Sequence, residues 1–213
     1  MVKHLAFTPA DHARIAEAIR AAEAGTSGEI FAVFARASDG YFFVSSFFAL
    51  VLSFGLALAA AIGLAIADIR LPPLAFELAQ AAAAIALVAL LRLSVPLRML
   101  FVPQSVRETR AHRMALSQFL SHNIHATAGR TGVLLFVSEA EHYAEVVADA
   151  GIDAVMPQEA WDEIVALLTD AARHDRLADG YTQAATRAGA LLAQHFPATG
   201  RNPNEIPDRL VEI

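Results

Sequence analysis

The pattern of hydrophobic and polar residues divides the chain into two mixed flanks and a long apolar middle. The stretch YFFVSSFFALVLSFGLALAAAIGLAIA, at 41–67, contains no charged side chain. As a helix it would be about 40 Å long, which exceeds the roughly 30 Å of a bilayer's hydrocarbon core. A second apolar stretch, at 74–91, carries Glu77 and Gln80 only in its first turns. Both stretches are therefore predicted to be membrane-spanning helices.

The connection between the two stretches is short and favours a turn. Its sequence, DIRLPPL, contains Pro72 and Pro73, which suit a turn between antiparallel helices. The spans, at about 41–67 and 71–91, are predicted to form a transmembrane helical hairpin within 41–95. The alternative is a pair of buried core helices. It is disfavoured because the rest of the chain is too short to surround both helices.

Small residues recur along one face of the first predicted span. Gly55, Ala59 and Gly63 follow one another at four-residue intervals, a spacing that lets membrane helices approach closely. This pattern predicts a membrane-packing face. The predicted opposing surface consists of three alanines of the second span: Ala79, Ala83 and Ala86. Glycine and alanine are also common in membrane helices generally, so the pattern alone leaves both interpretations open.

The arginines lie asymmetrically around the predicted hairpin. Arg36 precedes the first span, and Arg70 lies in the connecting turn. Five arginines follow the second span: Arg92, Arg98, Arg107, Arg110 and Arg113. Because positively charged flanks stay on the cytoplasmic side, we expect a two-helix protein of the bacterial inner (cytoplasmic) membrane with both termini in the cytoplasm.

The flank before the hairpin predicts one helix and one strand. Thr8 suits the N-cap of the helix, Pro9 its first position, and Gly25 its end. The following sequence, GEIFAVFARA, is apolar enough for a central strand.

The flank after the hairpin predicts three helices and two strands. SVRETRAHRMALSQFLSHNI is a predicted helix, and TGVLLFVS and YAEVVADAGI are predicted strands joined as a hairpin by EAEH. A further helix is predicted from the helical spacing of Trp161, Ile164, Val165 and Leu168, which would form its inner face. The last helix runs from about Leu177 to His195. The final RLVEI is predicted either to dock as an edge strand or to bind a partner.

Neither flank is predicted to bury a core by itself, since only one helix and one strand precede the hairpin. The flanks are therefore predicted to pack together as one α/β domain, a small sheet flanked by helices, which the transmembrane hairpin interrupts. The predicted parts are 1–40, the first part of this domain; 41–95, the hairpin; 96–196, the remainder of the domain; and 197–213, a C-terminal tail.

Composition and motifs exclude several classes of function. The 213 residues include no cysteine, which excludes disulfides, zinc thiolate sites and thiol catalysis. The net charge of −6 disfavours nucleic acid as a partner. The chain contains no G-x-x-x-x-G-K-[ST], G-x-G-x-x-G or G-x-S-x-G motif. No reaction is therefore specified by a motif.

The order of the flanking elements resembles the TPM domain family. GVLL at 132–135 matches the family's G-V-L-L strand, and GID at 151–153 resembles the end of its next strand, which closes on G-x-G-L-E. The resemblance covers nearly all of the chain outside residues 40 to about 104. It implies the family's α/β fold. An internal membrane hairpin is similar to a bacterial branch of uncharacterised membrane proteins within a family that also includes a thylakoid-lumen protein linked to photosystem repair.

The resemblance also implies activities, because members have been credited with phosphatase activity and with calcium binding at acidic residues near these strand ends. Here Arg130 and Thr131 stand where the family has an acidic residue and Asn, and Asp149 stands in place of a glycine. Hard cations need several oxygen ligands. We therefore expect no resident cofactor, with a divalent cation at Asp149 and Asp153 as the alternative.

Two interpretations of the acidic residues come from the sequence itself. Asp149 and Asp153 flank Gly151 at a predicted strand end, where they would form either an acid/base or cation-binding pair or an ordinary turn. Glu29 could face the same edge, or it could be solvated or paired with an arginine such as Arg130. Arg130 is also a candidate for binding an anion such as phosphate.

Two functions follow from these observations. The preferred one is a membrane-anchored cytoplasmic module that binds or assembles membrane protein complexes, so that its partners are the lipid bilayer and another membrane protein. An oligomer is compatible with this function. The alternative is a weak phosphohydrolase, metal-dependent or of the acid type. Its candidate catalytic carboxylates are Asp149, Asp153 and Glu29.

Overall fold

The flanks of the chain form a small mixed sheet. In the computed structural model, which describes residues 6–198 and 204–213, the strands are β1 (Glu29–Ala35), β2 (Gly132–Ser138), β3 (Tyr143–Ala148) and β4 (Leu210–Glu212). Their order is β3-β2-β1-β4. β1 is parallel to β2 and β4, whereas β3 is antiparallel to β2. The predicted α/β class and the predicted hairpin of TGVLLFVS with the following strand are confirmed.

Helices flank the sheet and form the apolar middle of the chain. The α-helices of the described residues are α1 (Pro9–Glu23), α2 (Phe42–Ile66), α3 (Pro73–Leu93), α4 (Val95–Leu100), α5 (Gln104–Ser121), α6 (Ala150–Asp153), α7 (Asp162–Arg173) and α8 (Leu177–His195). Short 3₁₀ turns lie at Ile124–Ala126 and Gln158–Trp161. The predicted start of α1 is confirmed by a capping box, in which Thr8 and Asp11 each accept a backbone N–H from the other.

Both faces of the two central strands are buried, which explains why β1 and β2 are apolar throughout. Alternate side chains such as Ile30, Phe34 and Leu135 pack in one cluster with residues of α1, α7 and α8. The others, such as Phe31 and Phe136, pack in a second cluster with residues of α5. The sheet therefore lies between two helical layers.

The chain divides into two compact units. One, called here the α/β unit, consists of Met1–Ser38 and Glu108–Ile213, and the other, the hairpin unit, consists of Asp39–Arg107. The hairpin unit is a single insertion into the chain of the α/β unit. Of the predicted parts, residues 1–5 of the first and 199–203 of the C-terminal tail lie outside the described residues.

The hairpin unit contains two helices long and apolar enough to cross a membrane. α2 has 25 residues and a mean hydropathy of 2.5, and α3 has 21 residues and a mean hydropathy of 2.1. Only 6% of the most apolar window of each helix is buried. α3 ends at Leu93, and Pro96 lies in the first turn of the separate helix α4, whose N-cap is Ser94. The two apolar helices thus form the hairpin that the sequence predicts.

The two glycines of α2 lie in open space within the described part of the chain. A Cβ added to Gly55 or Gly63 would meet no heavy atom of the described residues within 4 Å. The alanines of α3 therefore do not press against these two positions. The membrane-packing face of Gly55, Ala59 and Gly63 stays a prediction.

The C-terminal RLVEI forms an edge strand, the first of its two predicted alternatives. β4 pairs with Ala32–Phe34 of β1. The pairing continues to the last residue, because Ile213 N donates to Phe34 O at 2.9 Å and Ile213 O accepts from Arg36 N at 3.0 Å. The tail is therefore part of the sheet.

Candidate functional site

Backbone segments lie very close together at one end of the sheet, where β2 begins and β3 ends. A Cβ on Gly132 would lie 2.3 Å from the carbonyl oxygen of Ile124, and a Cβ on Gly151 would lie 2.6 Å from that of Arg130. Gly151 N donates to Arg130 O at 3.1 Å. Glycine is required at both positions because a larger side chain would displace backbone. The loop before β2 is thus held directly against α6.

Arg130 and Asp149 form a two-pronged ion pair in this place. Arg130 has a φ of 54°, in the left-handed region. Its Nε donates to Asp149 Oδ2 and its Nη2 donates to Asp149 Oδ1, each at 2.8 Å. The side chain of Asp149 is 3% exposed, whereas that of Arg130 is 55% exposed. The hydrogen bond with Asp149, and then its charge, raise the pKa of Arg130.

Asp149 is also the N-cap of α6. Its Oδ1 accepts a hydrogen bond from Ala150 N at 2.7 Å, and its own N–H donates to Gly132 O at 2.9 Å. β3 consequently ends at Ala148, earlier than the predicted strand YAEVVADAGI, because the capping carboxylate turns the chain into a helix.

Asp153 lies on the same short helix as its last residue. Burial first, and then the charge of Asp149, raise the pKa of Asp153. The structure therefore brings three of the four candidate residues together: Asp149, Asp153 and Arg130.

Glu29 lies at the same end of the sheet but is directed elsewhere. It pairs with Gly132 in the β1–β2 register, and the residue is 1% exposed. Its Oε2 accepts a hydrogen bond from Ile206 N at 3.1 Å, in the C-terminal segment. The prediction of a solvated Glu29 is therefore wrong. Arg130, the arginine proposed as its partner, instead binds Asp149.

The acidic residues at this end do not fit the calcium site that the family resemblance implies. Both oxygens of Asp149 accept hydrogen bonds from one guanidinium, so a cation would have to displace a resident positive charge. Among residues 6–198 and 204–213, no group of three or more His, Cys, Asp or Glu side chains is arranged to hold a metal ion. What this geometry supports is a closed ion pair that joins the loop before β2 to α6.

Sequence reasoning missed a second buried acid near this end, Glu23. It is 4% exposed, and its Oε1 accepts a hydrogen bond from Ile30 N at 2.6 Å. The sequence did contain an indication, because Ile15, Ile19 and Glu23 recur every four residues and therefore share the buried face of α1.

A third polar cluster, also missed, lies at the opposite end of β1 and β2. Ser138 Oγ donates to Glu141 Oε2, and Ser38 Oγ lies 2.9 Å from Ser138 Oγ. Ser38 N donates to Glu141 Oε1 at 2.8 Å. All three residues are buried. A serine beside a carboxylate is a nucleophile arrangement, but here burial and the backbone hydrogen bond indicate a structural tie at the point where the chain leaves β1.

Comparisons with known proteins agree with this fold. Residues 86–191 match the family model described as the TPM domain. The NMR structure of the BA42 protein from the psychrophilic bacterium Bizionia argentinensis is similar, with a TM-score of 0.61 at 18% identity over 100% of each chain. At that identity the likeness concerns the fold alone. No curated protein matches the chain.

Proposed function

Because the chain belongs to the TPM domain family, we propose that it is a bacterial inner-membrane protein whose TPM domain lies in the cytoplasm and binds other membrane proteins. The hairpin unit is the anchor in this proposal, and the α/β unit is the binding module. The observation that carries the proposal is the exposure of apolar side chains along almost the whole of α2 and α3.

Exposed apolar helices of this length support a membrane anchor over a pair of soluble core helices. The core helix of a soluble protein is mostly buried, yet only 6% of the apolar window of each helix is buried here. Contact with lipid would remove these apolar side chains from water, including Phe43, which is 87% exposed, and Ile85, which is 71% exposed.

Positive charge at one end of the hairpin supports the proposed orientation. Arg92 lies over the ring of Phe42, 4.6 Å from its centroid, and Arg98 Nη1 donates to Gly40 O at 2.5 Å. Arginines therefore flank the start of α2 and the end of α3, whereas the turn between the helices contains Arg70 beside Asp68. This asymmetry favours a cytoplasmic location for both chain ends.

The state of the acidic residues favours binding over hydrolysis. The carboxylates of Asp149 and Glu29 are buried and accept hydrogen bonds that hold the fold together. A general base or nucleophile has to reach its substrate. These two side chains would have to leave their partners first, so their structural use supports a module without hydrolytic activity.

Cross-linking in intact membranes tests the binding proposal. On α5, Leu116 and Leu120 are exposed large apolar side chains four residues apart, 39% and 57% exposed. We expect the tagged full-length chain to cross-link to one recurrent membrane protein, and Leu116→Gln with Leu120→Gln to weaken that cross-link. Ser117→Gln on the same helix is the matched control. Repeated recovery of no specific partner would contradict the proposal.

A phosphohydrolase is the second candidate, favoured by the exposed Asp153 on α6, the helix whose N-cap Asp149 binds the half-exposed guanidinium of Arg130. A guanidinium binds phosphate well, and a carboxyl of raised pKa suits proton transfer. Hydrolysis of p-nitrophenyl phosphate by the purified chain tests it. Activity that survives Asp149→Asn with Asp153→Asn, and separately Glu29→Gln, would rule out these residues as the catalytic site.

A further inference from the structure

Three buried carboxyl groups lie together where the C-terminal segment, residues 204–213, covers the end of α1. Glu23 is the last residue of α1, Glu29 is the first residue of β1, and Asp208 belongs to the C-terminal segment. Glu23 and Glu29 are 4% and 1% exposed, and the side chain of Asp208 is 4% exposed. Three carboxylates buried side by side repel one another strongly unless a proton or a cation neutralises part of the charge.

The hydrogen bonds of these groups join three parts of the chain. Glu23 Oε1 accepts from Ile30 N at 2.6 Å, and Glu29 Oε2 accepts from Ile206 N at 3.1 Å. Asp208 Oδ2 lies 3.3 Å from Arg20 Nε. The other oxygen, Asp208 Oδ1, is buried and has no hydrogen-bond donor within the described part of the chain.

We propose that Glu23 and Asp208 share one proton, and that this proton is a latch that holds the C-terminal segment against the α/β unit. The charged groups that face Glu23 are Glu29 from β1 and Asp208 from the C-terminal segment, with Arg20 of α1 beyond Asp208. A proton on one acid turns a repulsive contact into a hydrogen bond. The guanidinium of Arg20 pairs with Asp208 and leaves the contact between Glu23 and Asp208 to be neutralised.

The ionisation of Glu23 fits the proposal. Burial first, and then the charges of Glu29 and Asp208 and a hydrogen bond with Asp208, raise the pKa of Glu23 to about 9. The hydrogen bond from Ile30 N opposes this shift. Glu23 therefore holds its proton at neutral pH, where an ordinary glutamate is ionised.

Opening the segment exposes Glu23 to water, where its pKa returns to its usual value of 4.5. Between about 4.5 and 9 the closed state holds a proton that the open state releases. Stability of the closed state is therefore complete below the lower value and falls as pH rises towards the upper one. With one proton released, the opening constant rises about tenfold per pH unit. Opening also frees the edge of β1 that β4 covers.

Hydrogen exchange of the full-length chain in detergent micelles measures this opening. We expect the protection of the 204–213 peptide, corrected for the intrinsic exchange rate, to fall about 100-fold from pH 6 to pH 8, following the linkage relation. In Glu23→Gln, which keeps the shape of the protonated acid, protection stays flat over this range. Glu159→Gln, an exposed position, is the matched control and keeps the wild-type slope.

One other contact of the segment involves a histidine and needs its own control. His12 Nε2 lies 2.9 Å from Glu212 Oε1 in β4. We expect His12→Gln to retain the slope, and Asp208→Asn to reduce it by removing a charge that holds the proton on Glu23. A wild-type slope in Glu23→Gln, or a flat profile in His12→Gln, would overturn the latch. Should Glu23→Gln fail to fold, an unchanged slope in Asp208→Asn would overturn it equally.

Discussion

The guanidinium of Arg130 holds both oxygens of Asp149, at 2.8 Å each. The pair joins residues that are 19 positions apart and fixes the loop before β2 to the N-cap of α6. Its acid is buried and its base is half exposed. A positive charge from the chain itself therefore lies where the family resemblance would have a metal ion.

Removal of Arg130 is expected to destabilise the α/β unit. Arg130→Ala leaves the Asp149 carboxylate at 3% exposure without its guanidinium, and an unpaired buried charge is strongly unfavourable. Thermal unfolding should show a clear fall in Tm. Arg187→Ala is the matched control, because Arg187 and Glu163 form an exposed ion pair at 2.7 Å, and such pairs contribute little. Equal effects of the two substitutions would show that the Arg130 pair is an ordinary surface contact.

Divalent cations are expected to leave the protein unchanged. Asp149 is already bound by Arg130, and the described residues contain no group of three or more acidic or histidine side chains that could hold calcium or magnesium. Thermal unfolding with millimolar cation and with excess chelator should give the same Tm. A rise in Tm with calcium that disappears in Asp149→Asn would contradict this prediction and restore the family's cation site.

A buried hydroxyl ties α8 to the central strand. Tyr181 is fully buried, and its OH donates to Val33 O at 2.7 Å. We expect Tyr181→Phe to lower the free energy of unfolding by about 1–2 kcal/mol, since a buried hydrogen bond is lost without a replacement. Tyr143→Phe is the control, because that hydroxyl is only part-buried and contacts Glu145 at 3.1 Å. Denaturant unfolding that ranks the two variants equally would contradict the predicted role of Tyr181.

The sequence was sufficient to predict the features that depend on local composition. Long apolar stretches identified α2 and α3, and the Thr8–Pro9 cap identified the start of α1, because each depends on neighbouring residues along the chain. The last helix was predicted at its observed bounds, Leu177–His195. Strand order and the docking of β4 were harder, since the same RLVEI pattern suits a docked edge strand and a free binding segment.

The candidate site could not be predicted to the same extent, because its contacts are long-range and depend on side-chain direction. Arg130 and Glu29 lie near the starts of neighbouring strands, so the sequence allows them to form an ion pair. In the structure the backbone of Arg130 is left-handed, and its guanidinium binds Asp149 instead. The burial of Glu23 could have been inferred from its spacing with Ile19. Its nearness to Asp208 could not, because it depends on the C-terminal segment folding back over α1.

The central claim is that α2 and α3 cross the membrane and leave both ends of the chain in the cytoplasm. The chain contains no cysteine, so single cysteines can be placed at Leu71, in the exposed turn between α2 and α3, and at Ser121, at the exposed end of α5. The measurement is labelling of the two variants with a membrane-impermeant maleimide in intact spheroplasts and after lysis. The proposed topology predicts that Leu71→Cys is labelled in intact spheroplasts and Ser121→Cys only after lysis. Labelling of Ser121→Cys in intact spheroplasts, or equal labelling of both variants in every preparation, would contradict it.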